Sequence, residues 1–165
     1  MGRISGNNAT WTFGSPKWNS MGQRWQTQLG SAGSVAQANL GALFRSREHW
    51  KLVPDINNTV MIAGRESGNT LAVAARTNDG QSLIAYIPTR RTMTIDLSKI
   101  SDSFATAWWF DPRTASSRLI GKYPTTASRD FTTPDQTDWV LVIDAASANL
   151  PPPSKGLPER TSLEK

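Results

Sequence analysis

Short apolar segments separated by turn residues run from Thr59 to Asp144, and this pattern constrains the fold more than any other feature. Apolar segments of about four to eight residues between Gly, Pro, Asn or Asp are typical of β-strands. They occur near 60–63, 70–77, 81–87, 92–96, 104–110, 117–121, 128–131 and 139–143. Because no long helix separates them, parallel crossovers are not expected. The sequence therefore predicts a mainly β fold, an antiparallel β-sandwich of about eight short strands.

Two segments give more detail about this sandwich. Asn78-Asp79-Gly80 lies between two apolar segments and is a strong signal for a tight hairpin, so we expect the segments at 70–77 and 81–87 to be antiparallel neighbours. The segment from Trp139 to Ile143 is apolar throughout, which predicts a central strand that is covered on both faces.

One helix is expected before the strands, over residues 34–47. Its apolar residues fall on one face, and Ser34 with Gln37 matches a capping box. The members of that face are Ala36, Leu40, Leu43 and Phe44. If nothing covers Leu40, Leu43 and Phe44, this exposed face predicts self-association.

Composition excludes several classes of function. The 165 residues contain no cysteine and a single histidine, His49, so thiolate metal sites, cysteine nucleophiles and sites with two histidine ligands are excluded. The net charge of +5 is spread along the chain rather than clustered, so we do not expect nucleic-acid binding. No segment approaches the roughly 20 apolar residues of a membrane span, and nothing indicates a metal or a cofactor.

Two sets of residues resemble a known family. The first set runs from Leu43 to Arg47 and from Trp50 to Asp55; the second runs from Trp109 to Thr114 and from Phe131 to Pro134, followed by Asp138 to Val142. With Ala85-Tyr86-Ile87-Pro88-Thr89 between them, they resemble the carboxy-terminal part of the apiosidase-like glycoside hydrolases. The last domain of that family is known as a "putative collagen-binding domain".

The resemblance implies a domain organisation. In that family a (β/α)8 barrel with the catalytic carboxylates precedes a β-sandwich, so residues 1–55 would be the last loop and helix of a truncated barrel. Residues 56–146 would be the sandwich, and 147–165, with Pro151-Pro152-Pro153, a disordered tail. Family members are generally exported, which implies an extracellular or periplasmic parent protein. The chain departs from the family at Arg3 and Ser5, where histidine and tyrosine are usual, and at Ala115, where glycine is usual.

Catalytic residues are not expected in this chain. Glycoside hydrolysis requires two carboxyl groups on either side of the scissile bond. Four aspartates are available, but each lies in or beside a turn or a strand end, where aspartate is common for backbone hydrogen bonding. They are Asp111, Asp135, Asp138 and Asp144.

Tryptophan is the strongest hint of a binding site, since seven are present and their rings are the usual platforms for sugars. We expect Trp139 in the core. Strand alternation requires that one of Trp108 and Trp109 faces outward, without deciding which, and that ring beside Arg113 is the best candidate platform. Asn7, Asn8 and Trp11 match a loop that belongs to the substrate cleft in the family.

Three hypotheses follow. The preferred one is a non-catalytic accessory sandwich that stabilises a glycosidase barrel and contacts polysaccharide. The second is a collagen-binding or matrix-binding module. The third is a fragment of an active polysaccharide-degrading glycosidase that works only with the missing barrel.

Overall fold

The computed structural model describes residues 30–153 as one α-helix, nine strands and short 3-10 turns. The helix α1 is Ala32–Arg45, and the strands are β1 Leu52–Pro54, β2 Met61–Ala63, β3 Val73–Thr77, β4 Ser82–Ile87, β5 Thr92–Asp96, β6 Phe104–Asp111, β7 Ser116–Pro124, β8 Ser128–Thr132 and β9 Trp139–Ala145. Every strand pair is antiparallel. The predicted mainly β sandwich is confirmed, with nine strands in this part of the chain rather than eight. No helix among these residues is long and apolar enough to span a bilayer.

The strands form two sheets that enclose the main core. A six-stranded sheet has the order β1-β3-β4-β9-β6-β7, and a three-stranded sheet has the order β2-β5-β8. We call the face of the six-stranded sheet that meets the smaller sheet the inner face, and the opposite one the outer face. The core between the sheets is almost entirely aliphatic and aromatic; its larger members include Met61, Leu83, Met93, Ile95, Trp109, Phe131, Leu141 and Ile143.

Strand β9 occupies the centre of the larger sheet, as predicted for the segment from Trp139 to Ile143. It pairs with β4 on one side and β6 on the other. Leu141 and Ile143 belong to the core between the sheets, whereas Val140 and Val142 pack in a second cluster on the outer face. Alternation along one buried strand thus supplies both clusters.

Helix α1 covers part of the outer face. Leu43 is buried there in one cluster with Phe110 and Val142. The Asn39 side chain donates from Nδ2 to two backbone carbonyls of the turn between β6 and β7, at 3.0 Å each. The expectation that Leu43 would be exposed is therefore wrong, because the chain itself covers it, while Leu40 remains exposed.

The helix ends differ from the sequence prediction. The helix begins at Ala32, with Ser31 at the N-cap, so Ser34 lies inside the first turn and the predicted capping box is wrong. It ends at Arg45 rather than Arg47. Arg47 leaves the helix because its side chain turns into the sheet.

Arg47 joins the helix to the sandwich through a buried ion pair. Its Nε and Nη2 donate to the two carboxylate oxygens of Asp144 at 2.8 and 2.6 Å, and the exposed fractions of the two residues are 0% and 2%. Ser82 donates from Oγ to the same carboxylate at 2.7 Å. The remaining guanidinium donors reach the backbone carbonyls of Ser46 and Pro151 at 2.6 and 3.1 Å. Both charges are thus paired and hydrogen-bonded, as burial requires.

The hairpin between β3 and β4 was predicted from its turn residues, whereas strand β1 has no such signal. The hairpin between β3 and β4 is confirmed: Gly80 has φ +71°, a left-handed conformation that glycine adopts without strain, and its N–H donates to the Thr77 carbonyl at 2.9 Å. Strand β1 was not predicted. It has only three residues, and its proline is tolerated because β1 is an edge strand.

Asp55 organises the crossing from β1 to β2, which takes the chain from one sheet to the other. Its carboxylate accepts the backbone N–H groups of Thr59, Val60 and Met61 at 2.7, 3.1 and 2.9 Å. Burial raises the pKa of Asp55, but these hydrogen bonds outweigh it and hold the pKa below its ordinary value.

Breaking the buried ion pair is expected to be severe. Arg47→Met leaves Asp144 buried without its counter-charge, so the free energy of unfolding in urea should fall by about 3–5 kcal/mol. Replacing both residues, Arg47→Met with Asp144→Leu, should recover most of that loss. Lys51→Met is the control, since the side chains of its ion pairs are about one-third exposed and these pairs should contribute far less than the buried pair. The single variants Arg47→Met and Asp144→Leu complete the comparison. If the double variant loses as much unfolding free energy as the two single variants added together, this account is contradicted.

Asp55 should make stability depend on acid pH. Its folded-state pKa lies below the unfolded value of about 3.9, so the ionised carboxylate stabilises the fold above that pH, and this contribution is lost as pH falls through the folded-state pKa. We expect Asp55→Asn to lower the free energy of unfolding by about 1–3 kcal/mol at pH 7, and by less below pH ~3. The check is urea unfolding of both proteins across this range; a difference that is independent of pH would assign the loss to packing.

Candidate functional site

The register of β6 decides which tryptophan faces outward. Trp109 pairs with Leu141, packs in the core between the sheets and is 3% exposed. It therefore fills the core and offers no ring to a ligand. Trp108 pairs with Val142 and lies on the outer face beside the cluster that α1 covers. Of the two rings that the sequence left open, Trp108 is the outward one.

Half-buried Trp108 and three exposed residues beside it share one part of the outer face, which we call the outer-face strip: Phe104, Trp108, Leu119 and Lys122. Leu119 lies opposite Trp108, and Lys122 lies opposite Thr106, which stands between the two aromatic residues of β6. Phe104 and Leu119 are 46% and 55% exposed. The Lys122 ammonium lies 5.2 Å from the centroid of the Phe104 ring. The strip combines aromatic and aliphatic surface with one positive charge.

The Trp108 indole has an unusual polar feature. Its Nε1–H is buried, and it is the single buried side-chain donor or acceptor without a hydrogen-bond partner between residues 30 and 153. Trp139 provides a contrast, since its Nε1 donates to Asp135 at 2.9 Å. The Trp108 ring therefore takes its place in the fold through apolar packing alone.

Arg113 does not lie where the sequence placed it. Its guanidinium donates to both carboxylate oxygens of Asp111 at 2.8 and 2.9 Å and lies 3.7 Å from Asp135. It also sits over the Trp139 ring, 5.6 Å from the centroid. The structure thus groups Arg113 with Trp139, a different ring from the outward one, and its donors are largely used inside the protein.

The four candidate carboxylates are committed to structural contacts. Asp111 binds Arg113, Asp144 is buried against Arg47, and Asp138 accepts from the Tyr86 hydroxyl at 3.3 Å. Hydrogen bonds from the Thr137 and Trp139 side chains lower the pKa of Asp135 to about 2. A glycosidase acid needs the opposite shift, a raised pKa, so Asp135 is unsuited to that role.

Three of the remaining candidates, Asn7, Asn8 and Trp11, lie outside the described residues. His49 contacts the Phe44 carbonyl through Nδ1 at 2.9 Å, close to the end of α1. Between residues 30 and 153 no cluster of three or more His, Asp or Glu side chains could hold a metal ion.

Sequence reasoning missed three members of the outer-face strip. Phe104 could have been found from alternation, since it lies four residues before Trp108 and therefore on the same face. Leu119 and Lys122 could not, because β7 carries a bulge at Ile120 that shifts its register against β6.

Stability can test the different roles of the two indole groups. Trp108→Phe removes a donor that has no acceptor, so the free energy of unfolding should stay within about 1 kcal/mol of the wild-type value. Trp139→Phe removes a hydrogen bond to the Asp135 carboxylate and should lower the free energy of unfolding more than Trp108→Phe does. Urea unfolding of both variants makes the comparison, and equal losses would show that the Trp108 donor is satisfied in solution.

Comparisons with known proteins support this architecture. The family model described as "Putative collagen-binding domain of a collagenase" matches residues 53–144. A solved structure titled "Glycoside hydrolase" is 24% identical with a TM-score of 0.75, over 86% of this chain and 32% of that one. A glycoside hydrolase family 5 structure from Bacteroides vulgatus is 24% identical with a TM-score of 0.71, over 83% and 30%. This chain thus spans about a third of the length of these structures. No curated protein sequence matches it.

Proposed function

The chain belongs to the family described as "Putative collagen-binding domain of a collagenase", and from this premise we propose that it is a non-catalytic accessory domain of a glycoside-hydrolase-like protein. In this role the sandwich holds a preceding catalytic domain in a fixed orientation and contacts carbohydrate. The fold shared with part of two solved glycoside hydrolases supports the first half of the proposal.

The joint between α1 and the sandwich carries this proposal. Two contacts on the helix and one just beyond its end fasten it to the larger sheet: Asn39 at the turn between β6 and β7, Leu43 in the outer-face cluster, and Arg47 at the buried Asp144. Moving the helix away would separate a buried ion pair, which costs several kcal/mol. A preceding domain that packs on α1 is in this proposal held to the sandwich through a helix that is itself firmly attached.

The carbohydrate contact is proposed at the outer-face strip. Sugar rings present apolar C–H faces that pack on aromatic rings, and Phe104 offers an exposed ring there. Trp108 on β6 and Leu119 on β7 lie opposite each other and extend the apolar surface across the two strands. Phe104 and Leu119 remain exposed although α1 packs on the neighbouring part of the outer face, so binding of the helix leaves these side chains of the strip accessible.

Binding to polysaccharides tests the proposal. The purified chain should bind at least one member of a panel of plant and bacterial polysaccharides with saturable behaviour, followed by intrinsic tryptophan fluorescence. Phe104→Ala should weaken this binding about tenfold or more, equivalent to about 1.4 kcal/mol. Trp50→Ala is the matched control, since Trp50 is 66% exposed and lies outside the strip. Binding that depends on Trp50 rather than Phe104 would refute the assignment of the strip.

Collagen binding is the second candidate, and it is favoured by the family description. Immobilised triple-helical collagen and heat-denatured gelatin therefore belong in the same panel. Saturable binding to collagen without binding to any polysaccharide would replace the carbohydrate proposal by the collagen one. No response to either would leave the domain with the purely structural role at the α1 joint.

A further inference from the structure

Two edge strands lie along one side of the sandwich. Strand β7 ends the six-stranded sheet and β8 ends the three-stranded sheet. Residues 125–127 join them, and the rings of Tyr123 on β7 and Phe131 on β8 are 6.0 Å apart between centroids. The two edges therefore face each other, and we call this side the β7/β8 edge.

Three exposed cations mark the β7/β8 edge: Arg118, Lys122 and Arg129. No carboxylate of the described residues lies within ion-pair distance of any of them. Several other cations of the sandwich are neutralised, such as Arg91 by Glu66 and Arg113 by Asp111. The edge thus carries positive charge that no ion pair among residues 30–153 compensates.

Aromatic rings hold two of these cations in place. The Arg129 guanidinium carbon lies 3.7 Å from the centroid of the Tyr123 ring. The Lys122 ammonium lies over the Phe104 ring. A guanidinium that stacks on a ring keeps its in-plane N–H donors available, and its restricted motion reduces the entropy lost on binding. These are suitable positions for contacting sulfate or carboxylate groups.

The cations lie on both sides of the β7 strand. Lys122 belongs to the outer-face strip, whereas Arg118 pairs with Trp109 and therefore lies on the inner side at the edge. Their partners on β6, Trp109 and Thr106, are three residues apart, so the separation along the strand is roughly 10 Å at ~3.3 Å per residue. A small anion cannot contact both positions, but a linear polymer with repeated anionic groups can.

A peptide strand is a less suitable occupant of this edge. The bulge at Ile120 interrupts the row of backbone groups that an added strand would need, and Pro124 removes a donor at the end of β7. The like charges of Arg118 and Lys122 also oppose pairing of β7 with a second copy of itself. Recognition at this edge therefore depends on side chains rather than on backbone pairing.

We propose that the β7/β8 edge binds an acidic polysaccharide, with Arg118, Lys122 and Arg129 contacting its sulfate or carboxylate groups while its sugar rings pack on the outer-face strip. This inference rests on the proposed carbohydrate contact and adds the chemical class of the glycan. Lys122 connects the two surfaces, because it belongs to both.

Dextran sulfate and dextran form the first test, since they share a backbone and differ in charge; alginate serves as the carboxylate probe. We expect the chain to bind dextran sulfate and alginate at least tenfold more tightly than dextran. The logarithm of the binding constant should fall linearly with the logarithm of the salt concentration, as expected when contacts displace counterions. Equal binding of dextran and dextran sulfate would overturn the inference and leave the proposed carbohydrate contact standing.

Charge-matched variants locate the site. Arg118→Gln with Arg129→Gln should weaken binding to dextran sulfate at least tenfold, and Lys122→Gln should weaken it further. Arg45→Gln with Arg90→Gln is the control, because both arginines are exposed elsewhere and the net charge changes equally. Equal losses in the two double variants would assign binding to overall charge and overturn the proposal.

Two further results would also overturn it. One is tighter binding to double-stranded DNA or polyglutamate than to either acidic polysaccharide at equal salt. The other is unchanged polysaccharide binding by the Arg118→Gln and Arg129→Gln variant together with a monomer-to-dimer shift in sedimentation. That pair of results would show that the charges only protect the strand edges from pairing. A Phe104→Ala variant that keeps its preference for dextran sulfate would place the charge contacts independently of the strip.

Discussion

The buried ion pair of Arg47 with Asp144 is the contact on which the arrangement of helix and sandwich depends. Buried charges are tolerated only when they are paired and hydrogen-bonded, and here Ser82 and two backbone carbonyls complete the set. The partners come from the end of α1, the start of β4, the end of β9 and residue 151. One guanidinium thus fixes the helix position and ties the chain after β9 to the sheet. A well-packed hydrophobic pair could stabilise the joint as well, whereas removal of one charged partner alone would leave the other buried without a counter-charge.

The sequence predicted the strands well where alternation or a turn residue was informative, and poorly where contacts were distant. Segments such as 92–96 match β5, and the hairpin at Gly80 follows from local chemistry. The helix end could not be predicted, because Arg47 leaves the helix for a carboxylate that lies 97 residues later in the chain. The burial of Leu43 could not be predicted either, because its contacts are also distant in the sequence. Its partners, Phe110 and Val142, become neighbours only after the sheet has formed.

In the candidate site, too, features set by neighbouring residues were predicted, whereas features set by residues distant in the sequence were not. Alternation placed Trp108 and Trp109 on opposite faces, but pairing with β9 was needed to tell which face holds the core. Arg113 was assigned to the outward ring because it is close in sequence, yet Asp111 holds it over Trp139 instead. A bidentate contact of a guanidinium with a carboxylate is a strong, directional interaction, and here it determines where the Arg113 side chain lies. The charges at the β7/β8 edge come from two sheets, so no local pattern predicted that they would meet.

The proposed function gives the outer face of the larger sheet two roles, and two parts of this face differ in what they can bury. The part that packs on α1 presents apolar side chains such as Val142 and Phe110, together with the carboxylate of Asp144, which pairs with Arg47 just beyond the helix end. The part formed by β6 and β7 ends at an open edge, where Phe104 and Lys122 reach solvent. A ligand on this second part need not displace α1. Attachment to a preceding domain and contact with an extended polymer can therefore occur at the same time, which is what an accessory domain requires.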